Sequence, residues 1–171
     1  MIETERLILR PWRHEDRGRY LATCNTPAVT EHVGGPANER EVDAAIARIH
    51  ACVEALGFCY WAVERRADGA FLGYCGLRVS DDPGAPTDGA IEIGWRLRED
   101  AWGQGYALEA ARASLDWGFA NLDADRIVAI TNVGNLSCLK LMARLGMQRR
   151  EELDFTSADD SRWIVHTADR A

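Results

Sequence analysis

The chain has 171 residues, 47% of them hydrophobic and 27% charged, a balance that excludes wholesale disorder and predicts one globular domain over residues 1–171. A net charge of -7 argues against a broad basic surface, so we expect no nucleic-acid partner. No apolar run approaches the roughly 20 residues of a membrane span, and the N-terminus lacks a signal-peptide pattern. The composition therefore predicts a cytoplasmic protein with no membrane partner.

The five cysteines are odd in number and scattered along the chain, without the paired spacing of a zinc site or a disulfide framework. They are Cys24, Cys52, Cys59, Cys75 and Cys138. Reduced thiols are the simplest interpretation. The four histidines also lack metal-ligand spacing, so we predict no metal site.

The first third of the chain carries one strand pattern and one long helix pattern. Leu7 and Leu9 alternate with polar neighbours, which predicts a first strand, and a short helix should follow it. Apolar residues then recur every three to four positions and predict a helix over Glu39–Leu56. Asn38 and Glu41 have the spacing of a capping box at its start.

The middle of the chain favours a meander of antiparallel strands. Turn residues at 67–69 and 81–86 separate runs rich in aromatic and β-branched residues. These predicted strands are 58–64, 70–79 and 90–97.

The last third alternates between strand and helix patterns. A helical face over 107–122 precedes a short strand at 126–131, and a second helix should run from an N-cap at Asn135 to Gly146. Strand, helix and strand in succession imply a crossover and one parallel strand pair. With closing strands at 147–153 and 162–167, we predict an α+β domain whose mixed sheet has about six or seven strands and about four helices.

A glycine-rich segment, Gly103 to Ala107, lies between a predicted strand and a predicted helix, where backbone N–H groups and the helix dipole can bind an anion. No Gly-Lys-Ser/Thr follows it, so it is not a Walker loop. As a dinucleotide fingerprint it has Leu108 in place of the third glycine, and no acidic residue ends the next strand. A loop whose glycines only permit a tight turn also fits the segment taken alone.

The residues around this segment carry a family resemblance. Trp102 to Ala107 fits the pyrophosphate-loop pattern Arg/Gln-x-x-Gly-x-Gly/Ala of the GNAT superfamily of acetyl-coenzyme A-dependent N-acetyltransferases at Gly105 and Ala107, and departs from it at Trp102. The runs 91–97 and 102–110 are similar to the branch that includes the ribosomal-protein N-terminal acetyltransferases, where tryptophan is common at that place. Residues 4–11 and 135–147 resemble the same branch, so the resemblance covers nearly the whole chain.

The resemblance implies that acetyl-coenzyme A is the co-substrate. Backbone N–H groups of the loop would hold its pyrophosphate, while the main chain of the strand before the loop would pair with pantetheine as an added strand would. Lys140, on the predicted helix that begins at Asn135, would reach a phosphate of the cofactor, although a solvated surface lysine fits this position equally well. The expected cofactor-binding residues are Trp95, Arg96, Leu97, Trp102, Gly103, Gln104, Gly105, Tyr106, Ala107, Asn135 and Lys140.

Glu92 matches, by its spacing to the loop, the glutamate that serves as general base in some members of the superfamily. A partly buried carboxylate with a raised pKa could accept the proton of an ammonium group directly or through water. A strand residue that only hydrogen-bonds substrate or backbone is the alternative interpretation.

The departing thiolate needs a proton, and many superfamily members supply it from a tyrosine at the position that Met142 holds here. The branch's serine aligns with Cys138, and Ser137 stands just before it. Cys138, with an ordinary pKa of about 8.5, could donate a proton at the first turn of the helix, or it could be a small buried hydrophobe. Ser137 could hydrogen-bond the thiolate but is a poor acid.

The resulting hypothesis is an N-acetyltransferase in which a primary amine attacks acetyl-coenzyme A directly. The acceptor would be a peptide or protein α-amine, or a small cationic amine that suits the acidic protein. The bend at 33–36 and the acidic turn at 81–88 could border its site. The resemblance also allows a homodimer. The alternative class is a non-catalytic coenzyme A-binding sensor or partner-binding module, which the missing tyrosine keeps open.

Overall fold

The computed structural model describes residues 1–157 and 160–170, and within them one sheet of nine strands organises the chain. The strands are β1 (Ile2–Glu3), β2 (Leu7–Arg10), β3 (Tyr60–Arg65), β4 (Phe71–Val79), β5 (Ile91–Leu97), β6 (Arg126–Asn132), β7 (Gln148–Arg149), β8 (Phe155–Thr156) and β9 (Arg162–Asp169). The α-helices are α1 (Asp16–Thr23), α2 (Pro27–Thr30), α3 (Glu39–Leu56), α4 (Tyr106–Asn121) and α5 (Leu136–Arg144).

The predicted α+β architecture with a mixed sheet is confirmed, and α3 has the predicted bounds and capping box. The described residues hold more elements than the sequence indicated, nine strands and five α-helices. The additional strands β1 and β8 have two residues each, and the additional helix α2 has four, which is too short to give a periodic pattern. The predicted strand over 147–153 is paired only in β7 and continues as a 3-10 helix, Glu151–Leu153.

The sheet order is β1-β2-β3-β4-β5-β6-β9-β7, with β8 also paired to β9. All neighbours are antiparallel except β5 and β6, which the crossover through α4 makes parallel, as predicted. Their ladder holds one register pair, Glu92 with Val128, although each strand has seven residues. The carboxyl halves of β5 and β6 therefore part and leave a gap in the middle of the sheet.

Buried side chains form two clusters, one on each face of the sheet, because neighbouring strand residues such as Ala62 and Val63 point to opposite faces. The larger cluster packs beneath α4, where Gly118 allows close approach. A Cβ atom at Gly118 would lie 2.5 Å from Leu77 Cδ1 and 2.8 Å from Ile127 Cδ1. Among the described residues, no helix is both long enough and apolar enough to cross a membrane.

A buried ion pair fixes α1 to the sheet on the other face. Arg10 is on β2, and its Nη1 and Nη2 atoms donate to the two carboxylate oxygens of Asp16 at 2.6 and 3.0 Å, while its Nε donates to Glu64 at 2.7 Å. Asp16 is 0% exposed. Burial raises the pKa of Asp16, but hydrogen bonds from Arg10 and from the Arg13 backbone outweigh that effect and lower it.

We expect Asp16→Asn to lower the free energy of unfolding by about 3 kcal/mol or more, because it leaves the buried Arg10 charge short of a partner. Urea titration measures this loss. The exposed pair of Arg17 and Asp43 offers the control, since Asp43→Asn should cost far less. Because the pKa of Asp16 is lowered in the folded state, its contribution is full above an unfolded carboxyl pKa of about 4 and lost at lower pH, so the two proteins should converge in acid. A difference that persists unchanged in acid would contradict this.

Candidate active site

Two cavities meet where β5 and β6 separate. The first, of about 600 Å³, extends between the carboxyl halves of the two strands and is lined by Glu92 and Thr131, among others. The second, of about 510 Å³, runs along the start of α4 and one side of α5. They share six lining residues: His32, Val33, Trp95, Arg96, Asn135 and Cys138. A ligand in one cavity can therefore contact a ligand in the other.

The glycine segment forms an open cradle at the start of α4. Gly103 and Gly105 have left-handed φ angles of +72° and +82°, and Gly105 caps the helix without a side-chain hydrogen bond. A Cβ atom at Gly103 would meet no heavy atom within 4 Å, so the space in front of the loop is free. The first N–H groups of this 16-residue helix have no partner within the helix, and together with the positive end of its dipole they fit a diphosphate, so the loop suits coenzyme A in this respect.

Residues from the opening strand region hold the loop in place. Arg6 donates from Nη1 to the Gln104 carbonyl at 2.9 Å and from Nε to Glu109 at 2.7 Å. Glu109 also accepts hydrogen bonds from the Thr4 hydroxyl at 2.6 Å and the Arg6 backbone at 2.9 Å. The resemblance included both segments, and the structure explains their association: the Thr4 and Arg6 side chains anchor the first turn of α4.

The edge of β5 that faces the gap offers main-chain groups to a ligand. A Cβ atom at Gly73 would lie 2.1 Å from the Arg96 carbonyl oxygen, so that oxygen points toward β4. By strand alternation, the N–H and C=O groups of Trp95 and Leu97 point toward the gap. The Leu97 carbonyl accepts a hydrogen bond from Trp102 Nε1 at 2.8 Å. Trp102, 48% exposed, thus ties the loop to the strand beside the second cavity.

Two cations of α5 lie along the second cavity. Lys140 was expected there, while Arg144, one helical turn later, was missed although its i+4 spacing from Lys140 puts both on one helix face. Both side chains are exposed. Cations on this wall would suit the phosphates of a ligand held by the loop.

Glu92 lies in the first cavity and is 8% exposed. Arg78, its register partner on β4, donates to the Glu92 carboxylate from Nη2 at 2.8 Å and from Nε at 3.0 Å. Burial raises the pKa of Glu92, and Arg78 counters part of that rise. Arg78 also pairs with Asp81 at 2.7 Å and Asp82 at 3.6 Å, which ties the acidic turn to the cavity. Sequence reasoning missed Arg78 because the irregular turn hides the strand register.

Cys138 lies in the first turn of α5 at the junction of the two cavities. Asn135 caps this helix as predicted, accepting a hydrogen bond from the Cys138 N–H at 3.0 Å. Burial raises the pKa of the Cys138 thiol, and a hydrogen bond with Thr131 offsets only part of this. The thiol therefore stays protonated at neutral pH, because burial dominates at this helix start.

The two alternatives to Cys138 differ from it in position. Ser137 is exposed, donates a hydrogen bond to Asn135 Oδ1 at 2.9 Å and lines only the second cavity. Met142 is fully buried and lines only the first cavity, with no proton to give. Among the described residues, no group of three or more His, Cys, Asp or Glu side chains could hold a metal ion.

Residues 6–148 match the family model described as an acetyltransferase (GNAT) domain. The chain belongs to the GNAT family of acetyltransferases. The uncharacterized N-acetyltransferase YoaA of Bacillus subtilis is 27% identical over 152 residues, covering 87% of this chain and 83% of that protein. An acetyltransferase structure from Agrobacterium tumefaciens has a TM-score of 0.84 at 27% identity, covering 99% of this chain and 94% of that one.

A more distant structure shares the fold of this GNAT domain. The RimL ribosomal L7/L12 α-N-protein acetyltransferase has a TM-score of 0.76 at 14% identity, with 99% of this chain and 96% of that chain covered. The family uses acetyl-coenzyme A as its co-substrate in general, and the GNAT domain of this chain is accordingly an acetyltransferase enzyme.

We expect Gly105→Ala to weaken acetyl-coenzyme A binding by about tenfold or more, because a left-handed φ costs a non-glycine residue about 1 to 2 kcal/mol and distorts the cradle. Calorimetric titration with acetyl-coenzyme A measures the effect. Gly69→Ala is the matched control, since Gly69 has a φ of +69° in the turn between β3 and β4. It should lose similar stability and bind normally. Equal affinities for both variants would contradict the cradle.

Proposed function

We propose that residues 1–171 form a single cytoplasmic N-acetyltransferase domain that transfers acetyl from acetyl-coenzyme A to a primary amine by direct attack. The observation that best supports this proposal is the junction of the two cavities. The buried carboxylate of Glu92 lines one cavity, the glycine loop that could bind phosphate borders the other, and Cys138 lines both. The five free cysteines support a reducing, cytoplasmic location.

In this proposal the second cavity takes the cofactor. The N–H groups at 103–107 bind the pyrophosphate, Lys140 and Arg144 add positive charge, and Asn135 lines the same wall. The open edge of β5 at Trp95 to Leu97 pairs with the pantetheine amides. This places the thioester at the gap between β5 and β6, where the first cavity delivers the amine.

Glu92 acts as the general base. It accepts a proton from the ammonium group, directly or through water, and the freed lone pair attacks the thioester carbonyl carbon. The raised pKa of Glu92 supports this role, since a stronger base takes the proton more readily. Arg78 counters part of that rise through its hydrogen bond and ion pair with the carboxylate.

Cys138 acts as the acid. When the tetrahedral intermediate collapses, the carbon–sulfur bond breaks and the nitrogen releases its second proton to solvent. The Cys138 thiol gives its proton to the departing coenzyme A thiolate and is reprotonated from solvent, to which Glu92 also releases the proton it accepted. The position of Cys138 on both cavities supports this assignment over Ser137, which lines only the second.

For the acceptor we propose a peptide or protein α-amine, with a small cationic amine as the alternative. The fold shared with an α-N-protein acetyltransferase supports the first. Glu92 and Asp82 on the cavity wall would attract any ammonium group. Self-association as a homodimer remains a prediction from the family resemblance. A panel of amines separates enzyme from binding module: coenzyme A binding without amine-stimulated thiol release would contradict the enzyme.

We expect Glu92→Gln to lower the acetylation rate by about 100-fold at pH values where the amine is protonated, and much less at high pH, where free amine needs no base. Thiol release followed across pH measures this. Arg78→Gln is the comparison: without the guanidinium, the pKa of Glu92 rises further, so the acid limb should move to higher pH instead of vanishing. An unchanged profile in Glu92→Gln would remove Glu92 from the mechanism.

We expect Cys138→Ala to slow thiol release by about tenfold or more and to remove the decline of rate at high pH, where the thiol of the wild type ionises. Cys138→Ser keeps a hydrogen bond but a poorer acid, and should be intermediate. Ser137→Ala should change the rate by less than about threefold. A slow Ser137→Ala beside a normal Cys138→Ala would transfer the role to Ser137.

A further inference from the structure

Two arginines line the first cavity, Arg78 and Arg96, and they differ in whether a carboxylate of the protein pairs with them. Arg78 is neutralised within the protein by Glu92, Asp81 and Asp82. Arg96, on β5, forms no ion pair within 4.0 Å in the part of the chain that the structure describes. The cavity therefore holds one guanidinium whose charge is not matched by a carboxylate of the protein.

The guanidinium of Arg96 is held in position by aromatic side chains. Its Nη1 donates to the Tyr20 hydroxyl at 2.6 Å, and its carbon lies 5.7 Å from the centre of the Tyr74 ring. Within residues 1–157 and 160–170 its other N–H groups have no partner, and they are not enclosed by protein. A half-buried, oriented guanidinium with free donors is a binding group for an anion, because its planar fork matches a carboxylate.

Arg96 and Glu92 lie on the same face of β5, four residues apart, which separates their Cα atoms by about 13 Å. Between them the wall is aromatic: the rings of Tyr60 and Tyr74 stack at 5.0 Å, and Tyr60 covers Gly94. Long side chains reduce the distance between the two charges. The first cavity thus presents a carboxylate for an amine at one end, a guanidinium at the other and an apolar wall between.

We propose that Arg96 binds a carboxylate group of the acceptor, so that the substrate class is a primary amine that carries a carboxylate several bonds away. This inference rests on the proposed N-acetyltransferase function. The carboxylate could belong to a free amino acid or to an acidic residue near a peptide N-terminus. Arg96 also lines the second cavity, so a role in binding the cofactor instead is the outcome that the experiment must separate.

The test compares matched acceptors that differ only in charge. One series runs from glycine to 6-aminohexanoate, each beside its carboxamide, and a second pairs Ser-Glu-amide with Ser-Gln-amide. Wild-type kcat/KM should favour the carboxylate member of at least one pair by about 10- to 100-fold. The series that shows the preference identifies the source of the carboxylate. Equal rates within every pair would overturn the proposal without touching the acetyltransferase activity.

Arg96→Gln should abolish this preference by lowering kcat/KM for the carboxylate members to that of their carboxamides, and Arg96→Lys should retain part of it. Arg98→Gln is the control, because Arg98 pairs with Asp100 at 2.5 Å outside both cavities. A raised KM for acetyl-coenzyme A with the preference intact would assign Arg96 to the cofactor and overturn the proposal.

A binding measurement decides the case in which no amine is turned over, which would contradict the proposed function itself. N-acetyl-6-aminohexanoate, N-acetyl-Ser-Glu-amide and the uncharged counterpart of each are titrated calorimetrically into the coenzyme A-loaded wild type and Arg96→Gln. Tighter binding of a carboxylate in the wild type alone supports the assignment of Arg96. Equal binding of both members in each pair, or no binding, overturns it.

Discussion

The separation of β5 from β6 is the constraint on which the rest of the site depends. Two parallel strands that paired along their full length would close the sheet and leave no room for substrate. Here the ladder holds only Glu92 and Val128, and the gap beyond that pair exposes the β5 edge on one side and the start of α5 on the other. The short ladder thus leaves main-chain groups of β5 unpaired, forms part of the cavity wall and allows the two cavities to meet.

Three arginines near the site of this acidic protein differ in their partners. The net charge of -7 does not prevent an anion from binding, because the loop at 103–107 offers N–H groups that formal charge does not count. Arg78 forms ion pairs with three carboxylates and counters part of the rise in the pKa of Glu92. Arg6 forms an ion pair with Glu109 and holds the loop in place. Of the two arginines that line the first cavity, Arg96 is the one with no ion pair among the described residues.

Local features of the sequence could be predicted, while contacts between distant segments could not. The bounds of α3 and the N-cap Asn135 follow from spacing within one helix, and the glycine loop from its place between strand and helix. The pairing of Arg78 with Glu92 depends on a strand register set across an irregular turn, and that of Arg6 with Glu109 spans 103 residues. No periodicity encodes either contact, so only the folded chain reveals them.

Burial acts on Glu92 and Cys138 in the same direction, because it makes both side chains hold a proton more tightly. Removing a carboxylate from water raises its pKa and makes it a stronger base, while the same change makes a thiol hold its proton at neutral pH. Arg78 counters part of the rise at Glu92. In the proposed mechanism, one cavity thus holds both groups: a carboxylate base with a guanidinium beside it, and a thiol that is protonated at neutral pH.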